Sequence, residues 1–474
     1  MKSARSPIRN FASLSTGQAT SAVAALVTNI WLARTLGPEG LGLLGFGSAV
    51  VAYLILFTAS GSDLWGARLI ASKRYSATVV TGRIFGLRIW AFCLVAVIFL
   101  ILAPLLAPDP DDRRVLLVQA GAVLAVPMAL DYFFQGIERQ TTTAVRQAGQ
   151  ALLMMILTVL LVQSASDVVF AAVAQAAAAF GPALIVLIVA MGRYPIGRPN
   201  LSPVSVVKTF RRVFPFTISA FVNTLFVTID IVMLGLLSGK TETGFYVAGS
   251  RLMLFALIPA GIIFSIAYPR LAATGRQQRQ INLERYAVIL GLIAVAGSAV
   301  ALATTRVLIE TIYGESFLPT VPILGVQMLT VILIHGRMVP GGGLSSWGYQ
   351  KDHARATTIA AVSNVALNAA LIPMYGGMGA AVATLASQII LFVLFTYRLK
   401  IASGIFVAAR QALCLPCGMV AFAVVYGLKS VLGGASLLIV GTVLSVIVVA
   451  LCARLSGLIH WSDLQTTIRP PGVS

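Results

Sequence analysis

The chain has 474 residues, of which 58% are hydrophobic and 10% are charged, and its mean hydropathy is +0.93. These values exclude a soluble globular protein and predict a polytopic membrane protein. The formal net charge of +19 is scattered over short segments and forms no basic stripe. That pattern argues against a nucleic-acid partner and predicts contact with anionic membrane lipids.

A membrane-spanning helix needs roughly 20 apolar residues. Fourteen stretches satisfy this length, which predicts an all-α fold of about 14 transmembrane helices. They lie near residues 11–33, 40–60, 85–107, 114–135, 145–164, 167–191, 213–237, 245–268, 285–305, 318–336, 354–374, 378–397, 411–428 and 433–453.

The basic residues predict the orientation of the spans. Most of the 34 Lys and Arg residues fall on one side when the amino terminus is placed in the cytoplasm. The opposite links hold only Arg34, Arg113, Arg114, Lys240, Arg306 and Lys429. Because cytoplasmic segments carry the excess of Lys and Arg, both termini are expected in the cytoplasm.

Two weak internal matches predict a repeat of six spans. At an offset of about 202 residues Asn29 falls on Asp230 and Gly42 on Gly244, and a second match follows the fourth and tenth spans. Six is an even number, so the two copies run in the same direction, as in the parallel repeats of many transporters. The predicted domains are a six-helix bundle 1–192, a cytoplasmic linker 193–212, a second bundle 213–400, and two appended helices with a tail, 401–474.

Asp230 and Arg251 are ionisable residues inside two consecutive spans, the seventh and the eighth. At ~1.5 Å per residue both lie roughly 10 Å from the outer link 238–244, so they can meet. An ionisable residue within a span is costly and by default serves function. The alternative is a structural pair that keeps the two helices in register.

Other polar residues in the spans are weaker candidates. Arg88 and Asp131 form a possible second pair on the cytoplasmic side, although Arg88 can equally extend to the interface. Arg34 caps the outer end of the first span or contacts substrate. The uncharged residues Gln18, Asn29 and Asn223 can bind sugar hydroxyls or hold helices together.

The sequence offers no chemistry for an enzyme. Cys414 and Cys417 have CxxC spacing, but they lie in an apolar span without a neighbouring histidine, so neither a metal nor redox chemistry is expected. Residues 239–241 resemble the end of a phosphate-binding loop, yet the required glycine is replaced by Leu234. We therefore expect no cofactor, no ATP site and no enzymatic activity.

Four stretches resemble recurring motifs of the polysaccharide flippases of the multidrug/oligosaccharidyl-lipid/polysaccharide exporter superfamily. They are WLARTLGPEGLG, DYFFQGIERQ, IDIVMLGLLSG…TGFYVAGSRL and VSNVALNAALIPMYGGMGAAVATLASQ, in the order expected across spans 1 to 12. The resemblance implies two six-helix bundles around a central cavity. It also implies movement of an undecaprenyl-diphosphate-linked oligosaccharide from the cytoplasmic to the outer leaflet of the bacterial inner membrane.

On this interpretation Arg251 attracts the diphosphate or an acidic sugar, because its planar guanidinium donates paired hydrogen bonds. Asp230 holds Arg251 in place or takes up a proton. The expected partners are the lipid-linked oligosaccharide and membrane lipids, with a proton or sodium ion and a polysaccharide polymerase or export machinery as further candidates. The alternative function is a multidrug or organic-cation antiporter of the same superfamily, which predicts an acidic cavity instead.

Overall fold

The computed structural model describes residues 7–273 and 275–458, with side chains from residue 20 onward except at positions 266, 276 and 435. This part of the chain consists of α-helices and short 3-10 turns and contains no strand. The helices are α1 (Pro7–Ala59), α2 (Ser62–Ala71), α3 (Ala77–Leu106), α4 (Pro110–Ala120), α5 (Ala125–Met128), α6 (Asp131–Gly136), α7 (Gln140–Leu161), α8 (Val168–Arg193), α9 (Pro203–Leu237), α10 (Lys240–Ala273), α11 (Arg279–Ile312), α12 (Thr320–Ser346), α13 (Gln350–Ser403), α14 (Ala408–Ala412), α15 (Leu415–Gly427) and α16 (Gly434–Leu455). The 3-10 turns are Gly121–Leu124, Arg276–Gln278, Glu315–Phe317 and Leu428–Ser430.

Twelve helical stretches of the described residues are long and apolar enough to cross a membrane. Two of them are kinked, α1 at Gly37 (φ 69°) and α13 at Gly376 (φ 53°), where the backbone adopts a conformation that favours glycine. Pro38 follows the first kink at a helix start, where no N–H is needed. These long apolar helices confirm the predicted polytopic all-α fold, whereas the number of fourteen spans, which requires dividing α1 and α13 at their kinks, stays a prediction.

The described residues fall into two compact units, Met1–Gly244 and Phe245–Ser474. The first contains α9, which packs against α1 and α3. The division thus comes one long helix after the predicted linker 193–212. In the structure this linker combines an extended segment, 194–202, with the first residues of α9. The predicted division into two six-helix bundles stays a prediction.

The extended segment 194–202 is fixed to α3. The amide of Asn200 donates to the carbonyl of Gly82 (2.9 Å), and the amide of Gly197 donates to Thr81 Oγ1 (2.8 Å). A Cβ on Gly86 would lie 1.9 Å from the Asn200 carbonyl oxygen. The absence of a side chain at Gly86 therefore allows the segment to pack directly against the backbone of α3. The linker is therefore part of the first unit and not a free tether.

In the second unit, α15 and α16 pack against α11 through an apolar cluster. The cluster includes Val288, Val295 and Ala453, and it buries Cys414 and Cys417 as free thiols. Small residues at such contacts allow helices to approach closely in lipid, where packing drives association. The two spans predicted as appended are thus integrated into the second unit.

Candidate functional site

Arg251 lies on α10 with an exposed side chain, in a segment that is fixed to its own unit. Tyr313, which follows α11, contacts the preceding turn of α10 through its hydroxyl. That hydroxyl donates to the Ala248 carbonyl (3.2 Å), and Thr320 Oγ1 donates to the Phe245 carbonyl (3.1 Å). The helix turns that carry Arg251 are therefore held in place by side chains of the second unit.

Gln327 on α12 adds a third attachment beside Arg251. Its Nε2 donates to Ser250 Oγ (2.9 Å) and to the Tyr246 carbonyl (3.4 Å), and its buried Oε1 has no hydrogen-bond partner. A Cβ on Gly249 would lie 2.4 Å from this Oε1, so the glycine makes room for the amide. We call Gln327, Gly249 and Ser250 the second glutamine clamp.

The first unit contains an equivalent arrangement. Gln119 Nε2 donates to the Leu44 carbonyl (3.1 Å), and Gln175 links Gln119 to Ser48 Oγ. A Cβ on Gly47 would overlap Gln119 Oε1, which is also buried without a hydrogen-bond partner. We call Gln119, Gly47 and Ser48 the first glutamine clamp. Its glycine and serine precede those of the second clamp by 202 positions, in agreement with the predicted repeat.

The two clamps differ at the position that follows the serine. Arg251 follows Ser250, whereas Ala49 follows Ser48. Both units thus contain a clamp, and only the clamp of the second unit is followed by an arginine. The Gly-Ser pairs at equal offset were a sequence signal for this arrangement, which the search for charged residues missed.

Gln327→Ala and Gln119→Ala form a matched pair of variants. Each should lower the free energy of unfolding by about 1 kcal/mol, because each removes a buried amide that joins two helices. Transport should fall more in Gln327→Ala, since only this clamp fixes the turn before Arg251. The measurements are thermal unfolding and transport at equal abundance. Equal transport losses in the two variants would contradict a positioning role for Gln327.

The polar candidates of the first unit occupy different environments. Asp230 on α9 is 7% exposed, and its Oδ1 accepts a hydrogen bond from the Ile231 amide (3.0 Å). Asn29 is buried, whereas Arg34 and Asn223 are exposed. The side chain of Gln18 lies outside the described residues. Since Asp230 belongs to the first unit and Arg251 to the second, their pairing stays a prediction.

Arg88 on α3 is fully buried and does not pair with Asp131. Its salt bridge is with Asp63 on α2, and its guanidinium lies over the ring of Tyr132 (5.0 Å to the ring centroid). Its hydrogen bonds reach Ser62 Oγ (2.9 Å), Asp63 Oδ1 (2.7 Å) and the carbonyl oxygens of Val126 (3.1 Å) and Ala129 (2.7 Å). The expectation that Arg88 can extend to the interface is also wrong, because its side chain is enclosed by protein.

Asp131 is paired with Arg146 on α7. The two guanidinium nitrogens Nε and Nη2 donate to Oδ1 (3.0 Å) and Oδ2 (2.6 Å), which is the bidentate geometry of strong Arg–carboxylate pairs. The predicted pair is thus replaced by two separate ion pairs. Both join neighbouring helices of the first unit and have a structural role.

A further ion cluster surrounds the start of α10. Lys240 Nζ lies 2.9 Å from Asp112 Oδ1 and 3.2 Å from Glu39 Oε1. Beside it, Gly42 and Gly244 make a reciprocal contact: a Cβ on Gly42 would lie 1.8 Å from the Lys240 carbonyl oxygen, and one on Gly244 would lie 1.9 Å from the Pro38 carbonyl oxygen. This contact fixes the first turn of α10 to the first unit.

The two halves of α13 are joined by buried polar side chains. Asn364 Nδ2 donates to Ser387 Oγ (3.1 Å), and Asn368 Nδ2 donates to Asn364 Oδ1 (3.0 Å). The side-chain amide oxygens Asn368 Oδ1 and Gln388 Oε1 are buried without hydrogen-bond partners. In lipid such bonds hold helices together. The bond between Asn364 and Ser387 joins the part of α13 before the kink at Gly376 to the part after it.

Sequence comparison identifies relatives over most of the chain. Residues 8–274, more than half of the chain, match the family described as "Polysaccharide biosynthesis protein". The chain is also 25% identical over 387 residues to the "Putative O-antigen transporter" of Escherichia coli (strain K12), an alignment that covers 80% of this chain and 93% of that protein.

Solved structures share the fold. The lipid II flippase MurJ in an inward closed conformation matches with a TM-score of 0.79 and 13% identity, over 95% of this chain and 99% of that one. An inward-facing multidrug resistance MATE family transporter of the MOP superfamily matches with a TM-score of 0.64 and 16% identity, over 80% and 94%. At these identities the likeness establishes the fold alone. The printed names of these relatives are those of transporters and a flippase.

Proposed function

Because this chain belongs to the polysaccharide biosynthesis protein family, we propose that it translocates a lipid-linked oligosaccharide repeat unit. The cargo is an undecaprenyl-diphosphate-linked oligosaccharide, and it moves from the cytoplasmic to the outer leaflet of the bacterial inner membrane. The observation that carries this proposal is the family match, together with the similarity to a protein named as an O-antigen transporter.

Arg251 supports this proposal chemically. Its guanidinium is exposed within a span and held by a fixed helix segment, so it offers a prearranged partner for a diphosphate. The two halves of the protein alternate between inward and outward access while the head group contacts Arg251 and the prenyl tail stays in lipid. Asp230 steadies Arg251 or takes up a proton, and a proton or sodium ion drives the cycle. Organic-cation antiport is disfavoured, because a cation is repelled by Arg251.

The test is a strain that lacks this gene. We expect the lipid-linked intermediate to accumulate on the cytoplasmic leaflet and surface polysaccharide to disappear, with both effects reversed by the wild-type gene. Normal polysaccharide combined with altered drug tolerance would overturn the proposal in favour of the antiporter.

The same strain measures the contribution of Arg251. Arg251→Ala should lower transport at least about tenfold at normal abundance, because a charge-assisted contact is worth ~1.5–3 kcal/mol. Arg251→Lys should keep part of the activity, since lysine retains the charge without the planar fork. Full transport in both variants would remove Arg251 from the substrate site.

Two further variants control this result. Arg306→Gln removes an exposed arginine that pairs with Glu310 on the same helix, and it should leave transport unchanged. The double variant Asp230→Arg/Arg251→Asp tests the alternative role of the pair. Recovery of transport in this charge swap would assign Asp230 and Arg251 to a structural ion pair.

A further inference from the structure

Arg337 is a second arginine within a span of the second unit, and no carboxylate of the described residues forms an ion pair with it. It lies on α12 with a half-buried side chain, and its buried Nε has no hydrogen-bond partner. Among the described residues it takes part in no ion pair. A buried guanidinium nitrogen without an acceptor is costly, and an anion that comes from elsewhere would satisfy it.

Three carboxylates in the described part of the second unit are paired with other arginines. Glu310 pairs with Arg306, Asp352 with Arg398, and Glu284 with Arg410. Glu315 lies in the 3-10 turn before α12, at the opposite end of that helix from Arg337. The described part of this unit therefore supplies no counter-ion for Arg337.

An aromatic contact places His353 on the same face of α12 as Arg337. His353 on α13 stacks on the ring of Phe395 at 4.7 Å between ring centroids. Phe395 in turn packs on Gly341 of α12, where a Cβ would lie 2.7 Å from the ring. Gly341 follows Arg337 by about one helical turn, so the imidazole lies on the Arg337 face of α12 and can donate a further hydrogen bond to an anion.

The depth of Arg337 relative to Arg251 follows from contacts between α10 and α12. Gln327 is bonded to Ser250, and fifteen residues later Gly342 packs against Phe264, so the two helices run side by side in the same direction. Arg251 follows Ser250 by one residue, and Arg337 follows Gln327 by ten. At ~1.5 Å per residue, Arg337 lies roughly 14 Å beyond Arg251 along the helices, toward their carboxyl ends.

We propose that Arg337 and His353 form a second binding site for the diphosphate group of the cargo. This inner arginine site rests on the proposed function and extends it, because it gives the cargo two successive binding positions on one wall of the second unit. With the predicted orientation, the carboxyl end of α12 is cytoplasmic. Arg337 then binds the diphosphate first, and Arg251 receives it nearer the outer leaflet.

The site is tested by binding of geranylgeranyl diphosphate to the purified full-length chain in neutral detergent. Arg251→Gln removes the outer position, so the remaining affinity reports the inner one. Adding Arg337→Gln to this variant should weaken binding at least about tenfold, equivalent to ~1.4 kcal/mol. The matched control is Arg251→Gln/Arg306→Gln, which removes an equal charge and should bind as Arg251→Gln does.

The outcomes separate this site from the proposed function. Equal affinity of Arg251→Gln and Arg251→Gln/Arg337→Gln would overturn the inner site and leave the function intact, whereas a wild-type chain that binds no prenyl diphosphate would overturn both. Competition by phosphatidylglycerol at equal concentration, dependent on Arg337, would assign the site to an ordinary lipid head group and overturn its assignment to cargo.

A stability measurement excludes a merely structural role. Without ligand, Arg337→Gln should unfold at the same temperature as the wild type or higher, because it removes an unpaired guanidinium. The rise in unfolding temperature caused by geranylgeranyl diphosphate should shrink in the same variant. A lower unfolding temperature without ligand, with an undiminished ligand-induced rise, would identify Arg337 as a structural residue.

Discussion

Arg88→Met is expected to lower the free energy of unfolding by about 3 kcal/mol, which is the lower end of the range for removing one partner of a buried ion pair. The guanidinium of Arg88 is 0% exposed, whereas Asp63 is 45% exposed and keeps part of its hydration. The loss therefore comes mainly from the carbonyl groups of Val126 and Ala129, which lose their donor. Reversible unfolding in mixed micelles measures this change.

Two companion variants identify the cause. Asp63→Asn should cost less than Arg88→Met, because it keeps the shape of the side chain and removes a charge that is half in solvent. Arg88→Lys should fall between them, since one ammonium group cannot reach all the acceptors of a guanidinium. If Arg88→Met stayed within about 0.5 kcal/mol of the wild type, the buried network would contribute nothing to stability.

The position of Arg88 explains why its loss is costly. Its contacts join α3 to the start of α2 through Ser62 and Asp63, and to the chain around α5 through Val126 and Ala129. These segments do not share a continuous helix, so the hydrogen bonds of a helix backbone do not join them. A side chain with five donors provides the connection instead.

Hydropathy was sufficient to predict the spans, because each must be long and apolar whatever its neighbours are. The division of α1 at Gly37 and of α13 at Gly376 followed from the same pattern, since polar or glycine-rich residues interrupt two apolar runs there. Partners of buried charges were harder to predict. Arg88 and Asp131 were predicted to pair because both lie near the cytoplasmic ends of their spans. The position of a residue along a helix does not show which side of the helix its side chain occupies.

In the structure the partner of Arg88 is Asp63, which lies outside the predicted spans. Asp63 lies on α2, between the predicted spans 40–60 and 85–107, where hydropathy gives no reason to pair it with Arg88. The glutamine clamps were missed for a related reason. Gln119 and Gln327 are uncharged, and their importance depends on buried contacts with Gly47 and Gly249 that no local pattern reveals.

Gly42→Ala is expected to destabilise the first unit by about 3 kcal/mol, because overpacking that displaces backbone reaches this magnitude. The new Cβ would lie 1.8 Å from the Lys240 carbonyl oxygen and 2.8 Å from the Gly244 amide nitrogen. Neither atom belongs to a side chain that can rotate away, so the start of α10 must move. The matched control is Gly149→Ala in α7, where nothing lies within 4 Å of the added carbon.

The reciprocity of the contact gives a sharper expectation for the double variant. Gly244→Ala alone should cost about as much as Gly42→Ala, since its Cβ would meet the Pro38 carbonyl oxygen at 1.9 Å. A shift of α10 that accommodates one methyl group also makes room for the other. Gly42→Ala/Gly244→Ala should therefore cost clearly less than the sum of the single variants, as expected for sites that share one displacement. The measurement is a double-mutant cycle of unfolding free energies. Additive losses would show that the two glycines act separately and do not share a single contact.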